Sequence, residues 1–324
     1  MNILIIGGAG YVGSHKTQLM CNNGYNVFVL DNLSTGHEDA IDSRATFING
    51  DIRDFDLVCK ILKENKIEAI IHFAALSLVG ESVNKPLEYY DNNTYGMQVL
   101  LKAMVETGVD KIIFSSTAAT YGDHKVMPIT EDYLTNPTNP YGETKLAMEK
   151  MIKWTSEAHG IKYVSLRYFN VAGASLDSSL GERHNPETHL IPIVLEEVLG
   201  KREFLSIFGD DYDTPDGTCI RDYIHVLDLV SAHELALKYL VDGKESDIFN
   251  LGYGHGFSVK EIVDATEKVV NKKINTKIVP RRAGDPASLV ASNDKVKKTL
   301  GWEPKYDDIN VIISSAYDFF KKEK

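Results

Sequence analysis

Tyr141 and Lys145 stand four residues apart in the stretch NPYGETKLAMEKM (139–151). The Asn-Pro that leads it reads as a helix start, which puts both side chains on one face, one turn apart. A free tyrosine titrates near ~10 and is a poor base at neutral pH. A lysine cation beside it favours the phenolate, and a positively charged nicotinamide would add to that. Spacing alone does not separate this acid–base pair from ordinary packing. The prior shifts with KIIFSSTAATYG, an apolar run that ends in Ser116 and Thr117. Hydroxyls at a strand end often satisfy loop backbone. They also stand at the carboxyl edge where open α/β sheets bind ligands. Thr117 can hydrogen-bond the substrate hydroxyl that Tyr141 deprotonates and help relay its proton.

A second constellation opens the chain. NILIIGGAGYVGSH follows a strand directly, with glycines at Gly7, Gly10 and Gly13. Glycines there permit a tight turn, close approach of backbone to a pyrophosphate, and tight helix–strand packing. Asp31 ends the second strand, where an acid accepts hydrogen bonds from both hydroxyls of an adenosine ribose and repels a 2′-phosphate. That favours NAD over NADP. Asp51, in GDIRD after the third strand, is placed to reach the adenine amino group, with a loop cap as the plainer explanation.

The elements that must position these groups alternate. Apolar runs at 2–6, 25–30, 45–50, 68–74, 111–116 and 163–170 predict strands buried on both faces. Helical spacing fills the gaps, notably at 86–108 and 140–158. The alternation predicts a Rossmann-like doubly wound parallel sheet with a smaller C-terminal α/β lobe. Residues 1–170 are expected to form the NAD-binding domain, its sheet completed by later segments, and 171–324 mainly a substrate-binding lobe. Later elements are expected near 189–200, 248–252, 259–270 and 276–280.

Composition sets outer limits. The 324 residues carry 46 acids against 35 bases, a formal charge of −11, which argues against a general grip on nucleic acid. Three scattered cysteines without a C-x-x-C indicate neither a disulfide framework nor a zinc site. The histidines, His189 and His225 among them, show no metal-ligand spacing, so no metal is expected and they read as caps or packing. No signal peptide is read ahead of the first strand, and no apolar run approaches the ~20 residues a membrane span needs. A cytoplasmic protein is expected, and the glycosylation patterns at Asn32 and at Asn92-Asn93-Thr94 then read as chance.

Taken in order, GGAGYVGSH, DNLSTGH, GDIRD, SSTAATYG, NPYGETK, RYFNVAGA, DGTCIRDYIHVLDL and RRAGDPASLVAS resemble the UDP-glucose 4-epimerase family of extended short-chain dehydrogenase/reductases. The resemblance runs nearly end to end. For NAD it implies the loop at Tyr11 and Val12, the turn with Asp31, Asn32, Ser34, Thr35 and Gly36, then Asp51 and Ile52. It adds Phe73, Ala74 and Ala75, together with Asn92 and Phe169. Ser77 occupies a place where some relatives have a lysine near the cofactor phosphates. For catalysis it implies Tyr141 as base, Lys145 on the nicotinamide ribose and on Tyr141, and Thr117 as hydroxyl partner.

For a UDP-hexose substrate the resemblance implies Tyr168 and Asn170, His189 and Leu190 at the lobe entrance, and Arg221 and Arg282 on the diphosphate. Tyr223 and Asp285 would contact uridine or its neighbouring sugar groups. SIFG offers Phe208, whose ring would flank the uracil, with plain core packing as the commoner role of a lone phenylalanine; Ser206 joins this set. Two arginines from separate segments suit a diphosphate; the plainer alternative for Arg221 is an ion pair with the adjacent Asp222. Leu289 stands where the family varies beside the sugar's N-acetyl position, which leaves UDP-N-acetylhexosamines open.

The implied reaction interconverts UDP-galactose and UDP-glucose through a 4-keto sugar, with transient hydride transfer to tightly bound NAD. Other UDP-sugar 4-epimerases, including those acting on UDP-glucuronate, remain alternatives. A 4,6-dehydratase is disfavoured because Ala118-Ala119 replace the Asp-Glu pair of those relatives. Retention of Thr117, Tyr141 and Lys145 argues against a non-catalytic NAD-binding regulator. The resemblance also implies a homodimer through the helices of 86–108 and 140–158, which carry Val99, Leu100, Met148 and Ile152.

Overall fold

The run Asn2–Ile6 (β1) has no polar face: Ile3, Leu4, Ile5 and Ile6 are all buried. Such a strand is stable only with cover on both sides. A computed structural model, which describes residues 1–282 and 285–323, supplies that cover. Strands Asn26–Asp31 (β2), Thr46–Asn49 (β3), Ala69–His72 (β4), Lys111–Thr117 (β5), Lys162–Tyr168 (β6) and Asp247–Leu251 (β7) join β1 in one sheet. Its order is β7-β6-β5-β4-β1-β2-β3, and every pairing is parallel. Ile3 and Ile5 belong to one core, Leu4 and Ile6 to the other, as the two-residue repeat of a strand requires.

Helices Phe55–Glu64 (α2), Gly96–Thr107 (α3) and Pro140–His159 (α4) cover the face of Leu4 and Ile6. Their buried residues include Val58, Leu100 and Met148. The opposite face is covered chiefly by Val226–Val241, with Leu229, Leu237 and Leu240 turned inward, and by Ile309–Lys322. Helix Tyr11–Asn22 (α1) contributes Met20 to the same core.

The stretch 86–107 is helical but not uniform, and Gly108, in the left-handed region, ends it. Pro86–Tyr89 is α-helical, Tyr90–Tyr95 widens into a π-turn, and α3 follows. The run expected as one strand at 163–170 breaks at Phe169. Asn170–Ala172 leaves the main sheet and pairs in parallel with Tyr223–His225. Beyond it, Leu205–Phe208 pairs with Thr276–Val279, and Ile220–Arg221 lies between Phe257–Ser258 and Ser288–Leu289. The Leu205–Phe208 strand contributes Leu205 and Ile207 to a small core completed by Val194, Val263 and Ile274.

The chain builds outward from β1 through β2 to β3, then restarts on the other side of β1 with β4. The loops after β1 and β4 therefore border one crevice, where open sheets of this kind take ligands.

Candidate active site

The crevice is shaped by glycine. Gly7 has φ +83°, and a Cβ there would lie 2.5 Å from the amide nitrogen of Ala74, so the loops after β1 and β4 are pressed together. A Cβ on Gly13 would fall 2.0 Å from the Gly7 carbonyl oxygen. Gly10 differs: the nearest atom to its Cβ position is 3.5 Å away, leaving its backbone approachable. It begins α1 without a capping side chain and with no acid in the first turn, so the N–H groups there face the crevice unneutralised.

The ribose end is equally ordered. Asp31 accepts from the amides of Ala9 and Leu33, both at 2.9 Å, which fixes its carboxylate at the rim of the glycine loop. Gly36 packs on Ala9, where a Cβ would meet that side chain at 2.8 Å, folding the 31–36 turn over the loop; Asn32 caps the amide of Ser34 within it. Asp51 accepts two bonds from the Arg53 guanidinium, at 2.9 and 2.7 Å, which holds its pKa down to about 2. Ile52 is buried behind it against Gly96. An approachable glycine, a free helix N-terminus and an anchored acid fit a dinucleotide with an unphosphorylated ribose.

Asn93, which the sequence reading passed over as half of a chance glycosylation pattern, is a buried clamp. Its side chain donates to the carbonyl of Leu76 (3.0 Å) and accepts from the Leu76 amide (2.8 Å). It also donates to Thr144 Oγ1 at 3.1 Å, fastening the 73–77 loop to α4. Asn92 bonds to Asn93, and Ser77 is exposed on the loop so held.

Asn139 accepts from the Gly142 amide at 2.9 Å and Pro140 takes the first helical position, so α4 starts where the sequence signals it. Gly142 decides how close α4 comes to β5, because a Cβ there would lie 2.5 Å from the Ala119 carbonyl oxygen. Tyr141 is thereby set near Thr117; burial pushes its phenol up to about 12, against the opposing influence of the Thr117 hydroxyl. Lys145 is buried, donates to the Ser115 carbonyl at 2.8 Å and sits 5.0 Å from the Phe114 ring centre. Burial lowers its pKa to about 7, with Glu149 opposing. The hydrogen-bond partner of Lys145 is thus the strand backbone rather than Tyr141; one of its three donors is used there.

Side chains alternate along β5. Ser116 points away from the crevice and donates to Glu149, which is buried with Arg167 in a bidentate ion pair. Ser115 lies on the other face, bonded to His233 Nε2 at 2.9 Å and adjacent to the Tyr168 hydroxyl. Ser115, Glu149, Arg167 and His233 were not singled out from the sequence, since a buried polar network has no local spacing to announce it.

On the smaller lobe, Arg221 pairs with Asp285 at 2.8 Å, not with Asp222, its neighbour in sequence. Asp222 is buried and accepts from the amides of Tyr253, Gly254 and Ala291. Leu289 is paired in register with Arg221, and Tyr223 with Asn170. Tyr223 is buried in the main core. The Arg282 guanidinium lies 3.9 Å from the Phe208 ring centre, and Ser206 alternates onto the same half-exposed side as Phe208.

His225 caps Val226–Val241 by accepting from Leu227 at 3.1 Å, as a capping histidine should. His189 precedes helix Leu190–Val198 (α5) but gives no side-chain cap. Its Nδ1 turns instead toward Glu182 and Glu187, and with His184 these four bring donor atoms to within 4.8 Å of one another. His184 and His189, read from the sequence as caps or packing, thus gather with two carboxylates; the repeat E-x-H-x-x-E-x-H over 182–189 was the available signal.

The NAD dependent epimerase/dehydratase family model matches residues 3–252. The chain belongs to that family. It is 54% identical over 319 residues to the UDP-glucose 4-epimerase of Lacticaseibacillus casei, covering 98% of this chain and 96% of that one. A crystal structure of a UDP-glucose 4-epimerase aligns at 58% identity and TM-score 0.98, covering 100% of this chain and 98% of the other. The UDP-glucose 4-epimerase from Brucella ovis, solved in complex with NAD, aligns at 45% identity and TM-score 0.96, with 98% of each chain covered.

Proposed function

We propose that the protein interconverts UDP-galactose and UDP-glucose with NAD as a retained cofactor. The observation that carries this reading is the convergence of Thr117, Tyr141 and Lys145 beside the glycine loop, in a chain whose relatives at 54% identity are UDP-glucose 4-epimerases.

Tyr141 takes the proton of the sugar 4-hydroxyl while Thr117 hydrogen-bonds the same oxygen. A phenol held up at about 12 is not a base at neutral pH, so this one acts only when positive charge is gathered beside it. Lys145, fixed by Ser115, offers its remaining donors and its charge from one side. NAD, when bound, supplies reversible two-electron oxidation at C4 and a positive ring charge. Gly10 and the α1 N-terminus would receive its pyrophosphate, Asp31 the adenosine ribose, and Asn32 with Asp51 the adenine side. Arg221 and Arg282 hold the substrate diphosphate, with Phe208 on the uracil, and the hexose is left loosely held so that both epimers fit. Residues 171–324 act mainly as the substrate lobe, apart from the segments that complete the main sheet.

A homodimer and a cytoplasmic location belong to the same proposal. Leu100, Met148 and Ile152 are buried in the core beneath the sheet, and Val99 is buried as well, so these four do not supply the exposed dimer surface. The opposite sides of α3 and α4 leave an apolar groove of about 630 Å³ lined by Leu101, Val105, Met151 and Trp154. Two such helices from each of two copies would close it. Among the described residues no helix is long and apolar enough to cross a membrane, and the three cysteines are free.

The activity is tested by giving the purified protein UDP-galactose without added nucleotide. UDP-glucose is the expected product; no conversion by protein that carries NAD overturns the reading.

A further inference from the structure

Glu182, His184, Glu187 and His189 lie outside the machinery described for NAD chemistry, apart from the entrance role considered for His189, and their side chains converge. His184 Nδ1 is 2.9 Å from Glu182 Oε1 and 3.7 Å from Glu187 Oε2. His189 Nδ1 is 2.8 Å from Glu182 Oε1 and 3.1 Å from Glu187 Oε1. A tetrahedral ion with bonds near ~2.1 Å spaces its ligand atoms about 3.4 Å apart. The observed separations bracket that value. Both glutamate side chains are 4% exposed, while His184 and His189 are 26% and 41% exposed and form the outer side of the cluster.

A network of hydrogen-bonded ion pairs is the alternative: His189 Nδ1 does hydrogen-bond Glu187 Oε1 at 3.1 Å, but one atom of the cluster stays outside such a network. His184 Nδ1 is fully buried and lacks a hydrogen-bond partner despite the carboxylate oxygen 2.9 Å away. The contact lies off the line that an N–H donor needs, whereas a cation at the convergence would be met by the nitrogen lone pair. Glu187 Oε1 is braced from behind by the amides of Thr188 (2.7 Å) and His189 (2.8 Å), the kind of outer bond that orients a ligating carboxylate.

We propose that these four residues bind one divalent transition-metal ion, zinc by preference. Two imidazole nitrogens and two carboxylate oxygens suit zinc better than magnesium or calcium, which favour all-oxygen sites. With four protein ligands the site is closed and structural. The His184 ring packs edge-on to Tyr11, 6.3 Å between centres, and Tyr11 sits in the glycine loop with its hydroxyl donating to the Gly173 carbonyl at 2.6 Å. At its other end His189 leads into α5 on the substrate side. The ion therefore ties the cofactor loop to the lobe entrance without entering the reaction.

The test uses untagged protein as purified with its cofactor, equilibrated with zinc and freed of excess. One zinc per chain is expected by elemental analysis, and cobalt loading should give the visible bands of a tetrahedral site. His184→Gln and Glu187→Gln should each weaken zinc binding at least ~10-fold, while His255→Gln, in the exposed pair with Asp307, should leave it unchanged. Zinc below one-tenth of an equivalent, or affinity unchanged in both variants, overturns the proposal. If both variants fail to fold, the wild-type cobalt spectrum decides: no tetrahedral bands overturns it, and their appearance supports it.

Discussion

Lys145 Nζ donates to the main-chain carbonyl of Ser115 at 2.8 Å, joining the second turn of α4 to the end of β5. The bond orients a buried cation at the place where a phenolate must be stabilised. Replacing Lys145 by methionine keeps the volume and removes both charge and donor. Turnover of UDP-galactose should fall by about 10²–10⁴, with bound NAD and unfolding midpoint kept. Steady-state kinetics together with cofactor content read this directly, and near-normal turnover would remove Lys145 from the mechanism.

The Tyr141–Thr117 approach depends on a residue that touches neither substrate nor cofactor. A methyl at Gly142 would press on the Ala119 carbonyl and drive the first turn of α4 from the strand end. Displacement by an ångström costs about 10² in rate. Gly142→Ala should therefore lower kcat by that order while far-UV circular dichroism stays native. An unchanged kcat would show that the two elements have slack.

The sheet and its cofactor crevice were legible because their signals are local. Both-face apolar runs marked β1, β4 and β5, and Asn139-Pro140 marked the start of α4. Phe169 was not readable as a break, since the apolar run continues across it, and Asn170–Ala172 turns aside only because Tyr223–His225 is there to pair with it. For the same reason Arg221 looked like a partner of Asp222. Adjacent residues on a strand face opposite sides, and the true partner, Asp285, comes from a distant segment. Asn93 acts through buried bonds to the Leu76 backbone and Ser115 through a buried bond to the His233 side chain, which no spacing records.

Burial pushes the Asp222 carboxyl up to about 6 from 3.8, against the three amides that favour its ionised form. The native state therefore holds more protons than the unfolded chain between these values. The contribution is complete below about pH 4 and is lost as pH rises through 6. Urea unfolding across this interval should show the margin of wild type over Asp222→Asn shrinking with pH, then levelling. A margin that grows from pH 4 to 6 would mean that the amide bonds outweigh burial.

Trp154 is 66% exposed beside the groove between α3 and α4. Trp154→Glu sets a charge in the proposed dimer surface and should convert the protein to monomer by light scattering. The dimer interpretation fails if wild type is itself monomeric, or if the variant stays dimeric at the lowest measurable concentration.

The central claim is transient oxidation at C4 with return from the same bound cofactor. UDP-galactose carrying deuterium at C4, turned over in ordinary water and followed by NMR, tests it most directly. UDP-glucose that keeps the deuterium at C4 is the predicted product; loss of the label to solvent would contradict the account.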